Sequence, residues 1–254
     1  MKNKLIIFDL DGTLFTTEDV TIAAINKAFS KMNLDIPSKD LISKHFGEMT
    51  DQLCRNLYPE GTKEEIDELS KLALEYEKEL IPKKGKLYPG IKDLLKVLKK
   101  RNYKLIICSN GSLEYINLVL ESQDIRNYFD EVFSNKTIND KGLIVKRLLD
   151  NYETDKAILI GDAYTDLLAA EDNNITKLYA TYGYSSENYD LNYFEVKSPK
   201  DILGHVNRIE IFWQIEESIK NRLENDNFIV GINGIDTSGK TIFTNLLYKH
   251  LKSK

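Results

Sequence analysis

Four aspartates at positions 9, 11, 162 and 166, a serine at 109 and a lysine at 141 are the residues of this chain whose types and spacing could do chemistry. Asp9 and Asp11 follow the apolar run "LIIF" directly, in "DLDGTL". Side chains two apart on a strand point the same way, so the two carboxylates share a face. Such a pair before a tight glycine turn is costly unless a cation or a reaction uses it, although "DG" is also ordinary turn chemistry. In "KLIICSNGS", Ser109 and Asn110 close a second apolar run just before a helix. A hydroxyl and free backbone amides there suit a phosphate oxygen, and capping of the helix by Ser109 is the equal alternative. "AILIGDAYTD" sets Asp162 at the end of another run and Asp166 about one helical turn further on, so both carboxylates can face one point. Lys141 opens the helix before that run and, taken alone, reads as a solvated surface lysine.

The elements that position these residues alternate. Five β-rich runs (4–8, 104–109, 131–134, 156–161 and 176–181) are nearly continuously apolar apart from "EVFS", as strands buried on both faces should be. Helical patterns lie between the later ones, carried by Ile91, Leu94, Leu95 and Leu98, and by Leu113, Ile116 and Leu120. The series continues through Ile144 and Leu148 to Leu167, Leu168 and Ala170. This alternation predicts an α/β fold, a doubly wound parallel sheet with helices on both faces. In such a sheet ligands bind outside the carboxyl ends of the strands. All six residues therefore converge there. A cluster of carboxylates, a hydroxyl and a lysine describes a Mg2+ site that shares a substrate phosphate. The scattered histidines (His45, His205, His250) do not suggest zinc.

Between the first two strands, residues 16–83 read as helical throughout. "TKEEIDELSKLALEYEKEL" opens on a capping box, Thr62 with Glu65, and carries Ile66, Leu69, Leu72, Ala73, Tyr76 and Leu80 on one face. This predicts a helical insert over the carboxyl edge of the sheet. A long helix is expected at about 207–224.

The chain has 254 residues, 42% of them apolar and 30% charged, with a net charge of −5. Basic and acidic residues are interleaved, which argues against nucleic acid as the main partner. Cys54 and Cys108 lack metal-ligand spacing and read as buried reduced thiols. No stretch approaches a membrane span, and the short apolar run at the N-terminus is broken by Asp9 and Asp11, so a cytoplasmic location is expected.

In order, "DLDGTL", "SN", Lys141 and "GDAYTD" resemble the haloacid dehalogenase superfamily of phosphatases over roughly residues 1 to 205. The resemblance implies a Rossmann-like core of residues 1–15 and 84–205. It also implies a helical C1 cap at 16–83, as in phosphoglycolate-phosphatase-like members. Asp9 would be the nucleophile of an aspartyl-phosphate mechanism, and Asp11 the acid that protonates the leaving group and then activates water. Thr13, Ser109, Asn110 and Lys141 would hold the phosphate of a small phosphorylated metabolite. Mg2+ would be bound by Asp9, Asp11 (through its backbone carbonyl) and Asp162, with Asp166 supporting the site. One departure is Gly142 after Lys141, where proline is usual. The physics is consistent: an ionised carboxylate attacks without a base, and Lys141 with the cation offsets its repulsion from phosphate. Asp11 among other acids should hold its proton above the usual range. An acid at position 11 also argues against the dehalogenase branch, while a phosphomutase stays open. In the insert, His45, Phe46, Gly47 and Glu48 are expected to approach the substrate. The oligomeric state is open between monomer and weak dimer.

Near the C-terminus, "GIDTSGKT" matches the phosphate-cradling loop G-x-x-x-x-G-K-[ST], with Gly234, Gly239, Lys240 and Thr241 as the nucleotide-binding positions. Residues 228–254 resemble the start of a uridine-kinase-like nucleoside kinase, joined to the core by a connecting helix at 206–227. No acid-bearing neighbour strand follows, so no kinase activity is expected. A truncated bifunctional enzyme, a nucleotide-sensing module and a packed structural appendage are the alternatives.

Overall fold

The computed structural model describes residues 3–135, 140–185, 189–220 and 240–252. Six parallel strands form the central sheet: β1 (Leu5–Phe8), β4 (Lys104–Ser109), β5 (Glu131–Ser134), β6 (Ala157–Gly161), β7 (Thr176–Ala180) and β8 (Phe194–Val196). Their order is β5-β4-β1-β6-β7-β8, so the chain runs outward on one side of β1 and then crosses to the other. Every residue of "LIIF" is buried because β1 is covered on both faces. Ile6 and Phe8 enter one core and Leu5 and Ile7 the other, the period-two alternation of a strand.

The first core is closed by α5 (Ile91–Lys100), α6 (Leu113–Ser122) and α9 (Pro199–Lys220). The second is closed by α7 (Lys141–Asn151) and α8 (Tyr164–Asp172). The insert supplies α1 (Glu18–Lys31), α2 (Lys39–Ser43), α3 (Thr50–Leu57) and α4 (Lys63–Lys84). These four helices share a core of their own, built on Ile25, Phe29, Leu53, Ile66 and Leu69. The expected capping box on α4 is present: Thr62 Oγ1 accepts from Glu65 N at 3.3 Å and Glu65 Oε2 from Thr62 N at 2.8 Å.

Three features depart from the sequence reading. A sixth strand, β8, pairs with β7. A two-residue ribbon, β2 (Phe15–Thr16) with β3 (Lys86–Leu87), ties the way into the insert to the way out. Third, α9 begins at Pro199, ahead of the expected 207, because Ile202 and Val206 extend the buried stripe of Ile209 and Phe212 by two turns. The last described helix, α10 (Lys240–Lys252), packs Leu247 into the first core beside Phe212. Both cysteines are free and buried, and burial pushes Cys54 up to about 11 and Cys108 to about 12. Among the described residues no helix is long and apolar enough to cross a membrane.

Candidate active site

The change of direction at β1 leaves a crevice beyond the carboxyl ends of β1, β4 and β6, and the sequence-marked residues gather in it. Asp9 follows β1 and is pinned by its own amide, which donates to Ile160 O at 2.9 Å. Asp162 ends β6, and Asp166 lies in the first turn of α8. Carboxylate oxygens of Asp9, Asp162 and Asp166 all lie within 4.8 Å of one another, and all three residues are buried. Lys141 is the first residue of α7, a position fixed by Asp140, whose side chain accepts from Leu143 N at 2.9 Å. Its side chain is 3% exposed, and Nζ donates to Asp9 Oδ1 at 3.0 Å and to Asp166 Oδ1 at 2.5 Å. Far from being solvated, Lys141 is the cation of the cluster.

Backbone without side chains makes the close approach possible. Gly12 has φ of +77°, and a Cβ there would lie 2.2 Å from Asp162 Oδ2. A Cβ on Gly161 would lie 2.2 Å from the carboxyl carbon of Asp166.

Burial, together with the Asp166 and Asp162 charges, pushes Asp9 up to about 8 against the pull of Lys141. Burial and the charge of Asp166 push Asp162 up to about 7. Lys141 moves the other way. Burial opposes its charge, but Asp166 and Asp9 outweigh burial and hold the ammonium above its usual range. Asp11 is pushed up to about 8, first by burial and then by Asp9 and Glu77, while a hydrogen bond from Tyr115 opposes the shift. Four acids therefore face one lysine. That surplus of hard oxygen donors fits a divalent cation such as Mg2+, with Asp9, Asp162 and Asp166 as the residues placed to hold it.

The remaining expected residues are placed less uniformly. Ser109, at the end of β4, is buried, and its Oγ accepts from Gly111 N at 3.2 Å. Asn110 is exposed, with Oδ1 accepting from Asn135 at 3.0 Å. Thr13 is fully buried, and its hydroxyl donates to Asp162 Oδ1 at 3.4 Å, so it meets a carboxylate rather than open space. In the insert, Phe46 reaches the core, its ring 5.1 Å from that of Tyr184, whereas His45 turns to Glu48 at 2.9 Å. Gly234 and Gly239 lie outside the described residues, Lys240 opens α10, and Thr241 is exposed.

Three tyrosines that sequence reasoning did not mark complete the crevice. Tyr115, on α6, donates to Asp11 Oδ1 at 2.6 Å. Tyr182 donates to Thr13 O at 2.8 Å. Tyr184 donates its amide to Asp162 Oδ2 at 2.8 Å, while its phenol oxygen accepts from Thr17 N at 2.6 Å and lies 2.8 Å from Thr17 Oγ1. Tyr182 and Tyr184 stand in a tyrosine-rich stretch just after β7, the one signal that could have marked them, and Tyr115 carries none.

Residues 6–180 match the haloacid dehalogenase-like hydrolase family, more than half of the chain and every clustered residue in it. The chain belongs to that family. It is therefore a haloacid dehalogenase-like hydrolase, and its neighbours agree. Phosphoglycolate phosphatase of Aquifex aeolicus is 26% identical over 205 residues, covering 79% of this chain and 95% of that enzyme. The Colwellia psychrerythraea enzyme of the same name is 27% identical over 198 residues, covering 72% and 87%. Among solved structures, a predicted phosphoglycolate phosphatase of Haemophilus somnus superposes with a TM-score of 0.73 at 23% identity, over 81% of this chain and 99% of that one. A haloacid dehalogenase-like family protein of Streptococcus pneumoniae gives 0.69 at 24%, over 80% and 98%. These structures share the fold of this hydrolase, a parallel six-stranded sheet. The family match ends well short of Gly234.

Proposed function

We propose that this hydrolase is a Mg2+-dependent phosphatase of small phosphomonoesters that works through an aspartyl-phosphate on Asp9. The observation that carries this reading is the placement of Asp9 at a strand end, fixed by Lys141 at 3.0 Å, with Asp11 two residues on and held by Tyr115. Asp9 attacks phosphorus in its ionised form, which the Lys141 ammonium favours and a bound cation would favour further against the burial that raises it. Lys141 holds Oδ1 of Asp9 in place and offsets the repulsion between carboxylate and phosphate. Mg2+, bound by Asp9, Asp162 and Asp166, would supply further positive charge at the phosphoryl oxygens. Asp11, whose burial keeps it protonated near neutral pH, gives its proton to the departing alcohol. It then takes one from the water that cleaves the aspartyl-phosphate. Thr13 and the Tyr184 amide orient Asp162. Ser109, at the end of β4, would offer its hydroxyl to the phosphate. The insert acts as a cap that excludes water while the phosphoryl group transfers. The names of the relatives support phosphomonoester hydrolysis.

The test is phosphate release from p-nitrophenyl phosphate and a panel of alkyl phosphates, with Mg2+ or EDTA, for wild type and Asp9→Asn. Mg2+-dependent release should fall at least about a thousandfold in the variant. Release that persists in folded Asp9→Asn would refute the nucleophile. Wild type that isomerises a sugar phosphate without releasing phosphate would make it a mutase.

A further inference from the structure

In the insert, α4 packs along α6, the helix that carries Tyr115. Glu77 stands on α4, half-buried, with its Oε1 accepting from Thr21 Oγ1 at 3.0 Å. Because α4 packs along the helix of Tyr115, and the Tyr115 phenol donates to Asp11, the charge of Glu77 is felt by both members of that hydrogen-bonded pair. In the mechanism proposed above the alcohol departs in line with and opposite to the attacking Asp9, toward Asp11, the acid that Tyr115 holds. Among the described residues Glu77 has Thr21 as its hydrogen-bond partner and makes no ion pair. The nearby lysines serve other acids: Lys78 pairs with Glu114 at 2.8 Å, Lys27 with Glu79 at 3.4 Å, and Lys141 with Asp9 and Asp166.

We propose that Glu77 determines the charge preference of the leaving-group pocket. The substrate's alcohol is then neutral or carries an ammonium group, and is not a carboxylate. This rests on the phosphatase reading above and goes beyond it, because the relatives are named for an ester whose alcohol carries a carboxylate. A second carboxylate beside Glu77 would meet like charge, and among the described residues Lys78, Lys27 and Lys141 are already paired with other acids. At the effective dielectric of a partly buried site, that discriminates by at least about tenfold. An ammonium would supply the counter-charge Glu77 lacks, and a hydroxyl would donate to its free oxygen.

The experiment uses the full chain with Mg2+ at pH 8, above the value of about 7 to which burial pushes Glu77. It compares kcat/KM for p-nitrophenyl phosphate, 2-hydroxyethyl phosphate, O-phosphoethanolamine and 2-phosphoglycolate in wild type, Glu77→Gln and Glu77→Asp. Wild type should favour phosphoethanolamine over phosphoglycolate by at least about tenfold. Glu77→Gln should shrink that ratio severalfold, and Glu77→Asp, which keeps the charge, should retain most of it. Equal use of phosphoglycolate and 2-hydroxyethyl phosphate by wild type would overturn the proposal while leaving the phosphatase reading intact. A preference that survives in Glu77→Gln would overturn it too, whether or not the absolute rates fall. Folded wild type that releases phosphate from none of the four esters would remove the phosphatase reading and this one together.

Discussion

Tyr115 donates to Oδ1 of Asp11, so under the proposed mechanism Oδ2 would be the oxygen that carries the exchangeable proton. Tyr115→Phe should therefore slow esters of poor leaving groups, which need that proton, by about tenfold, the value of one hydrogen bond to an ionisable group. It should slow p-nitrophenyl phosphate much less. Equal losses on aryl and alkyl esters would show that the phenol only fills space. The acids also make a stability prediction. Asp9, Asp11 and Asp162 are raised to about 8, 8 and 7 by burial and mutual charge, above their ordinary 3.8. Raised carboxyls contribute stability that is full below the unfolded value and lost as pH rises through the folded one. Metal-free protein should therefore melt progressively lower from about pH 4 to pH 8. Added Mg2+ should recover more of the Tm at pH 8 than at pH 5, and a flat profile would contradict the assignment. The aspartates were legible in the sequence because a strand end and one helical turn are local rules. Tyr115 and Tyr184 were not, because their partners lie 104 and 167 residues away. Lys141 also misleads when read alone, since only the fold brings Asp9 and Asp166 around it.

Among the elements, the ribbon of β2 and β3 is where the insert joins the core, and Tyr184 braces it. Its phenol oxygen holds Thr17 at the entrance to α1, its amide holds Asp162, and its ring meets Phe46. Tyr184→Phe removes the Thr17 contacts and should favour an open insert. KM should rise by about three- to tenfold, as expected for one or two hydrogen bonds worth about 0.5–1.5 kcal/mol each. Phe46→Ala should have a smaller effect of the same sign, and a double variant no worse than Tyr184→Phe would show that the two act as one contact. A fall in kcat with KM unchanged would place Tyr184 in the chemistry instead. Long periodic elements were readable here, since the capping box and apolar stripe of α4 stand in sequence as they do in the fold. The ribbon and β8 are two and three residues long. Pieces that short carry no periodicity, and tertiary pairing alone decides them.

For the whole molecule, the helix that follows the glycine-rich loop is part of the core's packing. Leu247 is buried, the rings of Phe243 and His250 lie 5.4 Å and 5.1 Å from Phe212, and His250 Nε2 pairs with Glu216 at 3.1 Å. Leu247→Ala should cost about 2–4 kcal/mol and lower the Tm by about 5–10 °C without a comparable loss of kcat. An unchanged Tm would mean that α10 is not docked in solution. The order of the sheet has a consequence for how the chain is made. β1 emerges first from the ribosome, yet it lies between β4 and β6, pairing Leu5 with Lys104 and with Ala157. At about 5–20 residues per second, the first partner arrives about 5–20 s after β1. The insert's helices, which share their own core, are complete before then. A nascent chain thus holds "LIIF" exposed beside an already folding helical block, and the strand that leads into Asp9 waits for both of its neighbours.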